Sequence, residues 1–95
     1  MRRDRKEQNM SELNNTLKTR ADRYGDFKDV AQISQDFMVV ARGTSGWFRM
    51  DDTQREGTTL ILHKLARALS GDPNYADNWH DIAGYAKLVE DRLPK

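Results

Sequence analysis

The stretch from Thr59 to Leu93 constrains this chain more than any other. A helical run, Leu60-Ile61-Leu62-His63-Lys64-Leu65-Ala66-Arg67, meets the break Gly71-Asp72-Pro73, and helical spacing resumes in Asp77-Asn78-Trp79-His80-Asp81-Ile82-Ala83-Gly84-Tyr85-Ala86. Glycine closes helices and proline suits the start of the next. At about 100° per residue, the first helix collects Ile61, Leu62, Leu65, Ala66 and Leu69 on its main stripe and Leu60, Lys64 and Arg67 on the opposite side. The second carries Tyr75, Trp79, Ile82, Ala86, Val89 and Leu93 on its stripe, with Asp77, Asp81, Gly84 and Leu88 opposite. Folding back about the break sets Arg67 near Asp77, Lys64 near Asp81 and Leu60 near Gly84, where a missing Cβ permits close backbone approach. The pattern therefore predicts a C-terminal antiparallel helical hairpin.

Upstream, residues 1–9 are almost wholly polar and carry Arg2, Arg3, Arg5 and Lys6, so they read as a charged arm ahead of a single helical domain spanning 10–95. A first helix is expected from about Ser11, a good N-cap, with Leu13, Leu17, Ala21 and Tyr24 at helical spacing up to Gly25. A second, from Asp26, places Phe27, Val30, Ala31, Ile33, Phe37, Met38 and Ala41 on one broad side and reads as the central helix. The glycines of Gly43-Thr44-Ser45-Gly46 make Arg42 to Met50 a loop bearing Trp47 and Phe48. Asp51, Asp52 and Thr53 supply caps for a third helix reaching about Ser70. The fold class is all-α, a small bundle of about four helices ending in the hairpin.

Ninety-five residues make one small domain, which hides a smaller share of its surface than a large one and gains from a partner chain. The formal net charge of +1 gives no general field for nucleic acid or membrane, and Asp4 and Glu7 dilute the basic arm. With no cysteine, disulfides and thiolate metal sites are excluded. No apolar run approaches the ~20 residues needed to cross a bilayer. The expectation is a soluble cytoplasmic protein with no cofactor.

The charges of the hairpin admit three readings. They are ion pairs that fix its register; or Lys64 and Arg67 line an anion site, oriented by Asp77 and Asp81; or those two carboxylates hold magnesium, for which they offer few oxygens. The aromatics Tyr24 and Trp47 are candidates for stacking on a base or packing in a neighbouring subunit. His63 and His80 lack a third ligand for zinc and read as surface histidines. Gly43 to Gly46 lacks the Lys-Ser/Thr ending of a P-loop.

Tyr24-Gly25-Asp26-Phe27, Lys64-Leu65-Ala66-Arg67 and above all Asp77 to Ala86 resemble a small helical family of unknown function common in tailed phages and prophages, over roughly Tyr24 to Leu88. That resemblance implies a phage origin and a helical fold, with no established activity. A weaker likeness is to the all-α nucleotide pyrophosphohydrolases, whose paired carboxylates hold magnesium against phosphates. The chain departs from it: no carboxylate lies between Gly57 and Ser70, and Asp77 and Asp81 have the wrong spacing.

These observations lead to the expectation of a non-enzymatic, phage-derived accessory protein, a homo-oligomer binding an anionic ligand such as a defence-signalling nucleotide. Lys64, Arg67, Asp77, Asp81, Tyr24 and Trp47 are its candidate ligand-binding residues. The alternatives are a magnesium-dependent nucleotide pyrophosphohydrolase, or a protein-only inhibitor of a host defence complex.

Overall fold

A computed structural model of the chain describes residues 5–94, with side chains from Asn9 onward. Residues 1–4 of the expected arm lie outside the described residues. The elements are α1 (Arg5–Tyr24), α2 (Phe27–Arg42), α3 (Ser45–Arg49), α4 (Asp52–Ser70) and α5 (Ala76–Glu90), with no strand among the described residues. The all-α class holds, as four long helices and one short one.

Three features differ from expectation. The first helix does not begin at Ser11, because Arg5 to Asn9 already belong to α1. The segment from Arg42 to Met50 is not an open loop: Thr44 accepts a hydrogen bond from the Trp47 amide and starts the single turn of α3. The central helix is α4, which packs against α5, α2 and α1, rather than α2. The start of α4 follows the sequence closely. Asp51 accepts from the Gln54 amide and the Gln54 side chain accepts from the Asp51 amide, a complete capping box.

The hairpin of α4 and α5 forms, but a different glycine makes the close contact. A Cβ on Gly57 would collide with Val89 Cγ2, whereas one on Gly84 would meet nothing within 4 Å. Between the two helices, Asp72 organises the turn by accepting from the Asn74 amide, and Trp79 Nε1 donates to the Pro73 carbonyl at 2.8 Å. That bond leaves Trp79 half exposed, so it pins the turn instead of filling the core stripe.

The second elbow, between α1 and α2, rests on the first. Gly25 adopts φ +87°, a left-handed conformation that favours glycine. It lies against Ser70, while a Cβ on Gly71 would sit 2.6 Å from the Arg23 carbonyl oxygen and from the Tyr24 carbonyl carbon. The Asp72 amide donates to the Arg23 carbonyl at 3.1 Å across this contact.

The enclosed core is small. Val30 and Met38 of α2, with Ala66 and Ala68 of α4, are its fully buried apolar residues. The broad apolar side expected of α2 is only partly used: Ser34 is buried with Val30 and Met38, and Phe27 is 81% exposed. Asn78 is 1% exposed, and neither its Nδ2 nor its Oδ1 has a hydrogen-bond partner. Burying such an amide without a partner costs about 1–3 kcal/mol.

The glycine contacts predict opposite outcomes in thermal unfolding. Gly25→Ala and Gly71→Ala each lower stability by about 1–3 kcal/mol, because the added methyl meets Ser70 at the left-handed Gly25 and the backbone of residues 23–25 at Gly71. Gly84→Ala, in open space within a helix, raises it by about 0.5–1 kcal/mol. Equal destabilisation by all three contradicts the elbow contact.

Candidate functional site

The two glycine elbows bring the C-terminal turns of α1 and α4 together with the residue that precedes α5. Tyr24 ends α1 and Tyr75 is the N-cap of α5. Their rings meet edge to face with centroids 5.3 Å apart, a favoured aromatic geometry. Three guanidinium groups surround the pair. Arg67 lies over the Tyr24 ring at 4.7 Å, Arg20 over the same ring at 5.3 Å, and Arg23 over Tyr75 at 5.4 Å. Each such contact contributes about 0.5–1 kcal/mol near the surface. Among the described residues, no carboxylate forms a salt bridge with any of the three arginines.

Beside this cluster runs a cleft of about 330 Å³, walled by Leu17, Arg20 and Tyr24 of α1, the elbow residues Gly25 and Asp26, Phe27 and Val30 of α2, and His63 and Arg67 of α4; Asp26 is the one carboxylate in this wall. Its wall is largely apolar with cations at one side, a composition suited to a ligand with a hydrophobic part and an anionic part. His63, half-buried there, has its pKa lowered from the ordinary 6.5 by burial first and then by the nearby charges of Arg67 and Lys64. It is therefore a cleft residue and not the plain surface histidine expected from the sequence.

Of the expected site residues, the structure unites some and separates others. Lys64 and Asp81 meet at 3.1 Å, as their equal distance from the turn requires. The Lys64 side chain is only 14% exposed, so its charge is spent on the hairpin rather than offered to solvent. Arg67 does not pair with Asp77. It turns to Tyr24, and Asp77 instead accepts from the Tyr75 hydroxyl at 3.1 Å. The Tyr75 pKa is raised by the neighbouring Tyr24 hydroxyl and then by Asp77, which holds the phenol in its neutral form. The Tyr24 ring, engaged by two guanidinium groups and a second ring, is a platform for arginines rather than for a base. Trp47 lies outside the cleft: Arg55 stacks over its ring at 5.5 Å and donates through Nε to its carbonyl at 3.1 Å.

Arg20, Phe27 and His63 of the cleft, and Arg23 beside it, are not among the site residues that the sequence singles out. Arg20 lies four residues before Tyr24 and reaches its ring within α1, whereas Arg23, immediately before Tyr24, meets Tyr75 only because the long-range elbow contact brings the start of α5 to the end of α1. No group of three or more His, Asp or Glu side chains among the described residues is placed to hold a metal ion. No helix of the described residues is long and apolar enough to cross a membrane.

Residues 9–93 match the family described as Domain of unknown function (DUF6378). The chain belongs to the DUF6378 family. The match covers both elbows and the whole cleft, and it agrees with the uncharacterised helical family that the Asp77 to Ala86 block implies; it carries neither a phage origin nor a pyrophosphohydrolase activity. No curated protein and no solved structure matches the chain.

The position of His63 sets a pH dependence. Its folded pKa lies below the unfolded value of about 6.5, so the unfolded chain takes up the proton first and acid favours unfolding. This histidine's share of the stability is complete above pH ~6.5 and is lost as pH falls through the lower folded pKa. Chemical denaturation of the native chain and of His63→Gln across that range is expected to show a shallower acid loss in the variant. Parallel curves contradict the assignment.

Proposed function

We propose that this DUF6378 protein is a non-enzymatic binding protein whose Tyr24–Arg67 cleft takes an anionic small ligand, a nucleotide being the class that suits it best. One observation carries the reading: Arg20 and Arg67 converge on Tyr24 at the cleft with no salt-bridge partner among the described residues. Guanidinium groups held by ring stacking keep their N–H donors free for phosphate oxygens, to which they bind in a bidentate manner. Phe27, highly exposed at the same cleft, supplies an apolar face for a base. His63 adds a group able to donate to an anion and to gain charge when one binds.

The cleft's volume falls near the lower end of small-ligand sites, which span about 300–1,000 Å³. In this reading Arg20, Arg67, His63 and Phe27 contact the ligand, while Lys64, Asp81 and Asp77 hold the hairpin and the tyrosine pair in place. Trp47 has no part in it. A pyrophosphohydrolase requires several carboxylates around its metal, and the absence of such a cluster among the described residues favours binding over turnover. The phage accessory role, sequestering a defence-signalling nucleotide, is supported by the resemblance of the Asp77 to Ala86 block.

Titration calorimetry against ATP, ADP-ribose, cyclic dinucleotides and inorganic phosphate tests the proposal. At least one nucleotide is expected to bind, with Arg67→Ala and Arg20→Ala each weakening it by about tenfold or more. The affinity is expected to rise as pH falls through His63 protonation, because the imidazolium adds a cation beside the ligand. Heat from no member of the panel removes the nucleotide reading, and release of pyrophosphate from a nucleoside triphosphate replaces it with the enzymatic one.

A further inference from the structure

The chain exposes more surface than a molecule of its size does when it folds alone. For 11.0 kDa a lone globular monomer exposes about 5,600 Å², and this chain exposes 7519 Å², an excess of about 1,900 Å². The same imbalance appears in its dimensions. The radius of gyration is 17.6 Å, against about 12–13 Å for a compact chain of this length, and the extents are 66 × 26 × 24 Å.

The described side chains of α1 are open to solvent along most of its length. From Asn9 to Arg20 every residue except Ser11 is exposed, and Met10, Leu13 and Leu17, each more than half exposed, align at i, i+3 and i+7. A helix of this length and polarity is marginal without packing on its apolar side. The stripe leads directly into the cleft: Leu17 lines both, and Phe27 stands at the cleft's edge.

We propose that a second copy of this chain covers the Met10–Leu13–Leu17 stripe and, in doing so, closes the mouth of the Tyr24–Arg67 cleft. The occupant is a copy rather than an unrelated partner for two reasons. The excess area falls within the range that each subunit of an obligate homodimer buries, about 1,000–2,500 Å². The helix is also self-complementary: an antiparallel register that sets Leu13 against Leu17 of the second copy sets Glu12 beside its Lys18 as well, and a two-fold axis makes each contact twice. The interface stands independently of what the cleft binds; only the ligand enclosed by its closure rests on the nucleotide reading.

Native mass spectrometry and sedimentation of the full chain test the interface without any ligand. The native chain is expected to be dimeric, and the double variant Leu13→Glu/Leu17→Glu monomeric, with the circular dichroism of the remaining helices retained. Val39→Glu/Val40→Glu, at another exposed apolar site, is expected to stay dimeric. A native chain that is monomeric, or a dimer broken at Val39 and Val40 but not at Leu13 and Leu17, overturns the interface. Closure is read with Phe27→Cys, since the chain has no cysteine of its own. Its thiol is expected to react with a maleimide about tenfold more slowly in the dimer than in the Leu13→Glu/Leu17→Glu background. Equal rates overturn the closure. Failure of every nucleotide to bind leaves all of these readouts unchanged, so the two proposals fail separately.

Discussion

The contact between the Gly25 and Gly71 elbows is the constraint on which the rest of the structure depends. Each elbow joins two helices, and neither has room for a Cβ where they touch. The hydrogen bond from the Asp72 amide to the Arg23 carbonyl closes the contact with backbone alone. Because Tyr24 immediately precedes one glycine and Tyr75 follows the other by four positions, the same contact delivers the tyrosine pair and its three arginines. Without it α1 would share little with α4, and the cleft would have no α1 wall.

That arrangement puts stability and recognition in the same residues. The cation–π contacts of Arg67 with Tyr24 and of Arg23 with Tyr75, about 0.5–1 kcal/mol each, help to hold α1 against α4 and the start of α5, and they do so without neutralising the guanidinium charge. An ion pair would have used that charge, as Lys64 and Asp81 show farther along the hairpin. The small core, in which Val30, Met38, Ala66 and Ala68 are the buried apolar residues among those described, makes these surface-proximal contacts matter more than they would in a larger domain.

What was legible in the sequence follows the range of the interaction that decides it. The capping box at Asp51 and Gln54 depends on four consecutive residues and was visible as a run of cap formers. The Lys64–Asp81 pair follows from counting outward from one turn. The direction of Arg67 did not follow, because the competing partner, Tyr24, lies more than forty residues away and arrives only through the elbow contact. Gly84 reads as the close-approach glycine because it lies at the expected height on α5, whereas the close contact of Gly57 with Val89 is set by the helices' rotation about their own axes. The α3 turn is masked in the sequence by Gly43 before it and Gly46 within it, and Thr44 offsets the low helix propensity of Gly46 by capping. His63 read as a surface residue since nothing local marks a cleft.

Amide hydrogen exchange at Asp72 tests the central claim most directly. The account predicts that this amide, though it sits in a turn, is protected to a degree comparable with the helical amides of α4, and that the protection disappears in Gly25→Ala. Exchange at the rate of an open loop in the native chain would show that the two elbows do not hold each other, and the arginine–tyrosine cleft would lose its frame.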